Sequence, residues 1–181
     1  MTGGSAVRIK GADKASLEVG GATLLERALD ALAEVTDVVV VGEPVRTTRT
    51  VRFRREEPAG GGPAAGLLAG LSGFPGTPAQ VVVLAVDMPL VTTATVRRLL
   101  DAAEGDGALL VDDDGRQQYL CGVYSTKALL AAAPPVKQRN GLSMKRLVAG
   151  LSLALVQAHP GETRDVDTWE DLLALRNQLK G

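Results

Sequence analysis

The stretch Gln80-Val81-Val82-Val83-Leu84-Ala85-Val86 is apolar from Val81 onward and is closed by Asp87-Met88-Pro89. A strand with one wet face alternates apolar and polar residues. An unbroken Val/Leu run is what a strand covered on both faces looks like. A second run of this kind is Asp37-Val38-Val39-Val40-Val41. Between and around these runs the spacing changes. Leu24, Leu25, Ala28, Leu29 and Leu32 recur at helical intervals, and residues 64–71 are compatible with a helix. Residues 51–54 alternate as a half-wet strand does. Residues 92–103 read as a helix with Thr92 as its N-cap. Residues 107–111 form a strand, Asp113-Asp114-Gly115-Arg116 a hairpin turn, and residues 119–124 an antiparallel return. Helices follow over 126–132 and 143–149, then a strand over 151–157. Thr168 and Asp171 form a capping box that opens a last helix. Strands that alternate with helices imply an α/β fold with a mostly parallel sheet and helices on its faces. In such sheets ligands bind beyond the carboxyl ends of the strands, so chemistry is to be sought just after each strand.

The composition narrows the chemistry. The 181 residues suit one domain, and no linker, repeat or low-complexity tract divides them. Twenty basic residues against 21 acidic ones leave a net charge of −1, with no basic excess to bind nucleic acid or an anionic membrane. Aromatic residues are 3% of the chain, too few for a base-stacking platform. One cysteine, Cys121, and one histidine, His159, exclude a disulfide framework and a Cys/His zinc site. No run approaches the ~18 apolar residues of a membrane span, and the first ten residues carry no signal-peptide core. The expected setting is the cytoplasm. Cys121 reads as a small core residue and His159 as a surface residue.

Four motifs remain. The chain opens on Thr2-Gly3-Gly4-Ser5, followed by Arg8, Gly11, Asp13 and Lys14. Two glycines let the backbone approach an anion, Arg8 offers a fork to phosphate oxygens, and Lys14 offers a compact charge. The spacing is neither that of a dinucleotide fingerprint nor that of a P-loop, and a surface turn is the alternative. Asp87 follows a buried strand, where a carboxylate can hold Mg²⁺ together with substrate phosphates or order the turn before Pro89. Gly60-Gly61-Gly62-Pro63-Ala64-Ala65-Gly66 puts bare backbone at a helix start. It could read a base edge or serve as a flexible loop. Asp165 and Asp167 flank Val166 before the last helix. They could reach one cation, or simply favour the helix dipole. A basic cluster, Lys137, Arg139, Lys145 and Arg146, fits either an anionic substrate or a solvated loop.

Taken in order, G-G-x-x-x-R-x-x-G-x-D-K, G-P-x-A-G-L, D-M-P and D-x-D-T-x-E-D-L resemble the molybdenum cofactor guanylyltransferase (MobA-like) nucleotidyltransferases from Gly3 to Leu172. The resemblance implies a Rossmann-like three-layer sandwich, mostly parallel, with one antiparallel strand. It implies transfer of GMP from GTP to the phosphate of molybdopterin, with loss of pyrophosphate. Gly3, Gly4, Ser5, Arg8 and Lys14 would hold the nucleotide phosphates, with Arg8, Lys14 and Asp87 the catalytic set. Gly62, Ala64 and Gly66 fall in the base-reading segment. Mg²⁺ would be the cofactor, on Asp87 and Asp167. Asp165 and Asp167 stand where the family usually has Asn, and related cytidylyltransferases often show D-x-D-T there, so CTP or another NTP, and another phosphorylated acceptor, are alternatives. Family members carry an apolar strand ahead of the glycine loop. Only Met1 and Thr2 precede Gly3 here, so the expectation is a domain without that first strand, and nucleotide binding without turnover is a further alternative.

Overall fold

The computed structural model describes residues 14–178. The expectations placed on Gly3, Gly4, Ser5 and Arg8, and the one about a first strand, lie outside them. Two short strands come first, β1 (Glu18–Val19) and β2 (Ala22–Thr23). They are joined by Gly20 and Gly21 at φ +60° and +82°, the left-handed pair that a two-residue hairpin requires. Thr23 then caps α1 (Leu24–Ala31) by accepting the Glu26 N–H, and the helix buries Leu24, Leu25, Leu29 and Ala31 along one stripe.

The remaining elements are β3 (Val39–Val41), β4 (Arg52–Arg54), α2 (Pro63–Leu71), β5 (Gln80–Leu84), α3 (Thr93–Ala102), β6 (Gly107–Val111), β7 (Gln117–Ser125), α4 (Thr126–Ala132), α5 (Met144–Leu147), β8 (Leu153–Gln157) and α6 (Trp169–Gln178). β3 and β4 pair in parallel, as do β6 and β8, whereas β5 and β7 are antiparallel. β7 lies beside β6, tied to its ends by Ser125 N–H to Asp106 O and Asp112 N–H to Arg116 O.

The unbroken Val runs are explained by what covers them. On one face Val82, Leu84, Ala108, Leu110, Cys121 and Val123 pack under α3, whose Val96 and Leu99 are buried there. On the other face Val81, Val83, Leu120 and Tyr124 pack under α2, α4 and α5. Helices, sheet and helices make three layers, so both sides of each central strand are dry. α2 lies close on β3 because it is lined with small residues. A Cβ on Gly70 would already stand 3.0 Å from the Val41 side chain. Among the described residues β3 pairs only with β4 and β5 only with β7. Both strands line an apolar cavity of about 910 Å³ whose walls also include Leu25, Leu29, Gly66 and Leu67 of α1 and α2.

Several elements are shorter than the periodicity predicts. The strand expected from Asp37 begins at Val39; ahead of it the Val38 carbonyl accepts the Arg52 N–H and the Asp37 side chain pairs with Arg52 at 2.6 Å. The helix expected over 143–149 is a single turn, Met144–Leu147, capped by the Ser143 hydroxyl. The strand expected from Leu151 begins at Leu153, since the Ser152 N–H is taken by the Asp106 carboxylate. Thr92 does cap α3, in a box with Thr95, and Asp112–Arg116 turns tightly around Gly115. At the end of the chain, Leu172 and Leu175 of α6 are fully buried against Val19, Leu24 and Val166.

Candidate active site

Lys14 stands in a short 3-10 turn, Lys14–Ser16, just ahead of β1. Its Nζ donates to Asp167 Oδ1 at 2.6 Å and to Asp87 Oδ2 at 3.3 Å. Three residues from three separate motifs therefore meet at one point. The sheet explains Asp87. β5 delivers the chain to its carboxyl end, where the peptide turns away and the side chain is left at the rim, 30% exposed. A second connection explains Asp167. The Val166 N–H donates to the Asp87 main-chain O at 2.8 Å, so the two carboxylate-bearing loops are stitched together through the backbone. Beyond it, Thr168 and Asp171 exchange hydrogen bonds in the expected capping box. The Thr168 hydroxyl accepts from Asp171 N–H, and the Asp171 carboxylate accepts from Thr168 N–H. The cap and the contact with Lys14 thus coexist. Thr168 starts the helix while Asp167, 59% exposed, points to the lysine.

Burial lowers the Lys14 pKa, but the hydrogen bonds and charges of Asp167 and Asp87 together outweigh it and hold the ammonium above its usual value. Lys14 is therefore a fixed positive charge across the physiological range. The donor set around it is two carboxylates of hard oxygen character, at a rim open to solvent, which is what Mg²⁺ takes when substrate phosphates complete its shell. Among the described residues no group of three His, Cys, Asp or Glu side chains forms a closed metal cage.

The glycine loop is placed by different contacts. Gly62 has φ +92° and opens α2, with Pro63 in the first turn. The Ala64 N–H donates to Leu142 O at 3.4 Å, and the Gly66 N–H donates to Gly62 O inside the helix. These two amides are thus spent within the fold, and the loop that carries Gly62 rests on the Gly141-Leu142 backbone. This puts the loop beside the chain segment that bears the basic cluster. Gly66 and Asp87 line the same cavity.

Sequence reasoning missed two carboxylates. Glu56 reaches the cavity wall beside Gly66. Its only signal is its place after β4, at the carboxyl end of a strand. Glu162 is buried and holds Arg98 through both oxygens at 2.8 Å. It also accepts from Thr95 Oγ1 and the His159 N–H. Nothing in its neighbourhood of sequence marks it. His159 is exposed, and Cys121 is fully buried in the core.

Residues 1–156 match the family model described as the MobA-like NTP transferase domain. A probable molybdenum cofactor guanylyltransferase of Opitutus terrae is 36% identical over 157 residues, 83% of this chain and 76% of that one. A molybdenum cofactor guanylyltransferase of Vibrio cholerae is 30% identical over 65% of this chain and 59% of that one. Among solved structures, the molybdopterin-guanine dinucleotide biosynthesis protein A of Archaeoglobus fulgidus superposes with a TM-score of 0.72 at 20% identity, covering 98% of this chain and 95% of that one. The 2-C-methyl-D-erythritol 4-phosphate cytidylyltransferase of Thermus thermophilus does so at 0.66 and 21%, covering 93% and 94%. These two share the fold. With the family model spanning most of its length, this chain belongs to the MobA-like NTP transferase family.

Proposed function

We propose that this protein transfers GMP from GTP to the phosphate of molybdopterin, releasing pyrophosphate, with Mg²⁺ as cofactor. The observation that carries this reading is the convergence of Lys14, Asp87 and Asp167 at the carboxyl end of β5. The names of the relatives supply the acceptor and the base. An acceptor phosphate monoester is largely dianionic near neutral pH, with a second pKa of about 6, so it needs no strong protein base. Its oxygen forms a bond to the α-phosphorus of the nucleotide, the bond from that phosphorus to the bridging oxygen breaks, and pyrophosphate leaves with the electron pair. What the protein must supply is in-line placement and positive charge against the crowded phosphoryl oxygens. Lys14 supplies one such charge, and Arg8 is assigned a second. Asp87 and Asp167 would hold the Mg²⁺, which when bound neutralises phosphate charge. Gly3, Gly4 and Ser5 are assigned to the phosphates by their backbone, and Gly62, Ala64 and Gly66 to the base. Ala64 and Gly66 would act by shape and carbonyl placement, since their N–H groups are engaged elsewhere. The proposed setting is cytoplasmic; no helix among the described residues is long and apolar enough to cross a membrane.

The presence of Asp165 and Asp167 in the last motif favours a second reading, in which the nucleotide is CTP. One experiment separates the two. The protein is incubated with Mg²⁺, molybdenum cofactor and each NTP in turn, and pyrophosphate is followed. Release with GTP is the expected result. Release with CTP alone would replace the first reading by the second, and no release with any NTP would overturn both.

A further inference from the structure

Lys14 is held by the two carboxylates to which the reading above gives the cation, and a cation that bridged them at the same oxygens would displace it. The ammonium lies 2.6 Å from Asp167 Oδ1 and 3.3 Å from Asp87 Oδ2, on the approach to both. A Mg²⁺ ion binds oxygen at about 2.0–2.1 Å. Drawn in by both aspartates, it would occupy the space of the ammonium and repel its charge. We propose that Lys14 and the divalent cation are rivals for Asp87 and Asp167, so that arrival of the cation frees the Lys14 ammonium for the nucleotide phosphates. This rests on the function proposed above and adds an order of events to it.

Three features support the exchange. The main chain at Lys14 is set in a 3-10 turn, in which Leu17 N–H donates to Lys14 O at 3.1 Å. Only the side chain has to move, and it is a flexible four-carbon stem. That side chain is 29% exposed and Asp167 is 59% exposed, so the pair opens on solvent through which the ammonium can withdraw. The arithmetic of charge is also favourable. Without the cation the lysine cancels one of the two negative charges, which keeps the paired carboxylates from repelling each other. With the cation in place that duty is discharged, and the lysine is drawn to the triphosphate by a larger opposite charge.

The test is Mn²⁺ binding to the nucleotide-free protein, measured by calorimetry and by the electron paramagnetic resonance of free Mn²⁺. Lys14→Met keeps the length of the side chain and removes the competitor. It is expected to bind Mn²⁺ about tenfold more tightly than the original protein, the product of two partly exposed ion pairs each worth about threefold. Lys14→Arg restores the charge and should return the affinity to the original value. Asp87→Asn should weaken Mn²⁺ binding by about tenfold or more. The same Lys14→Met protein should bind GTP more weakly, so one substitution moves two affinities in opposite directions. Equal or weaker Mn²⁺ binding by Lys14→Met overturns the rivalry, as does a protein that binds no Mn²⁺ at all. Pyrophosphate release by the original protein, with unchanged Mn²⁺ affinity in Lys14→Met, would sink the rivalry and leave the proposed reaction standing. Tighter Mn²⁺ binding by Lys14→Met, with no pyrophosphate from the original protein and any NTP, would do the reverse.

Discussion

Replacing Glu162 by Gln should destabilise the protein by about 2 kcal/mol at pH 7, and this loss should fade as the pH is lowered. The side chain is 10% exposed, and its carboxylate accepts four hydrogen bonds, two from Arg98, one from Thr95 and one from the His159 amide. Burial raises its pKa, but those bonds together prevail and bring it from 4.5 down to about 2. Each pH unit of such a fall is about 1.4 kcal/mol, so the full displacement corresponds to about 3 kcal/mol. Water at the rim trims this to about 2 kcal/mol. The carboxyl binds its proton more readily in the unfolded chain than in the folded one. Its contribution is therefore complete above about pH 4.5 and is lost as the pH falls towards 2. The assay is urea unfolding of both proteins from pH 8 to pH 3. The gap should be flat from pH 8 to about 5 and should narrow below that. At pH 7 the melting temperature should drop by about 4–8 °C. A gap under about 0.5 kcal/mol at pH 7, or one of constant size down to pH 3, would refute the view that an ionised, fully bonded carboxylate clasps α3 to the segment after β8.

Lys14→Ala should lower pyrophosphate release by about a hundredfold or more and leave the unfolding free energy in urea within about 1 kcal/mol of the original, because its ion pairs are partly exposed; full turnover would remove Lys14 from the reaction. Gly107→Ala should cost more than about 3 kcal/mol, since the residue sits at φ +140° and its Cβ would run into the Val123 carbonyl oxygen. Gly115→Ala, at φ +77° with open space around it, should cost about 1 kcal/mol, and equal urea midpoints for the two variants would contradict the packing of β6 on β7. The Cys121 thiol is pushed up to about 12, chiefly by burial, so iodoacetamide at pH 8 should leave it unmodified in the folded protein and alkylate it in urea, as mass spectrometry would show.

The layers were legible because burial writes itself into composition. Val81 to Leu84 is apolar at every position since each strand face meets a helix layer. Thr92, and Thr168 with Asp171, announced their helices because capping is a local transaction between residues three apart. Asp87 and Asp167 were legible by position, as carboxylates where strands end or helices begin. Their meeting at Lys14 was legible only through the family resemblance and not through spacing, because it depends on how two loops 80 residues apart are stitched by the Val166 amide. The same holds for Glu162 and Arg98, a pair formed between α3 and a loop beyond β8. The pairing of β7 with β5 was also hidden, since the hairpin turn at Gly115 predicts only its neighbour β6. Periodicity reports which faces are dry, and it is silent about which distant surface dries them.

The seating of α6 has a consequence for how the protein is made. Asp167 lies 153 residues after Lys14, and it is held in place by a helix whose Leu172 and Leu175 must reach Val19 and Leu24 near the other end of the described chain. During synthesis the early strands and helices emerge first, and they can pair before the last turn of α6 exists. The carboxylate partner that Lys14 holds most closely is added after the other two. A nascent chain that stops short of residue 167 therefore carries the lysine and Asp87 without Asp167, and the site becomes whole only once α6 has emerged and packed, across the 153 residues that separate Lys14 from Asp167.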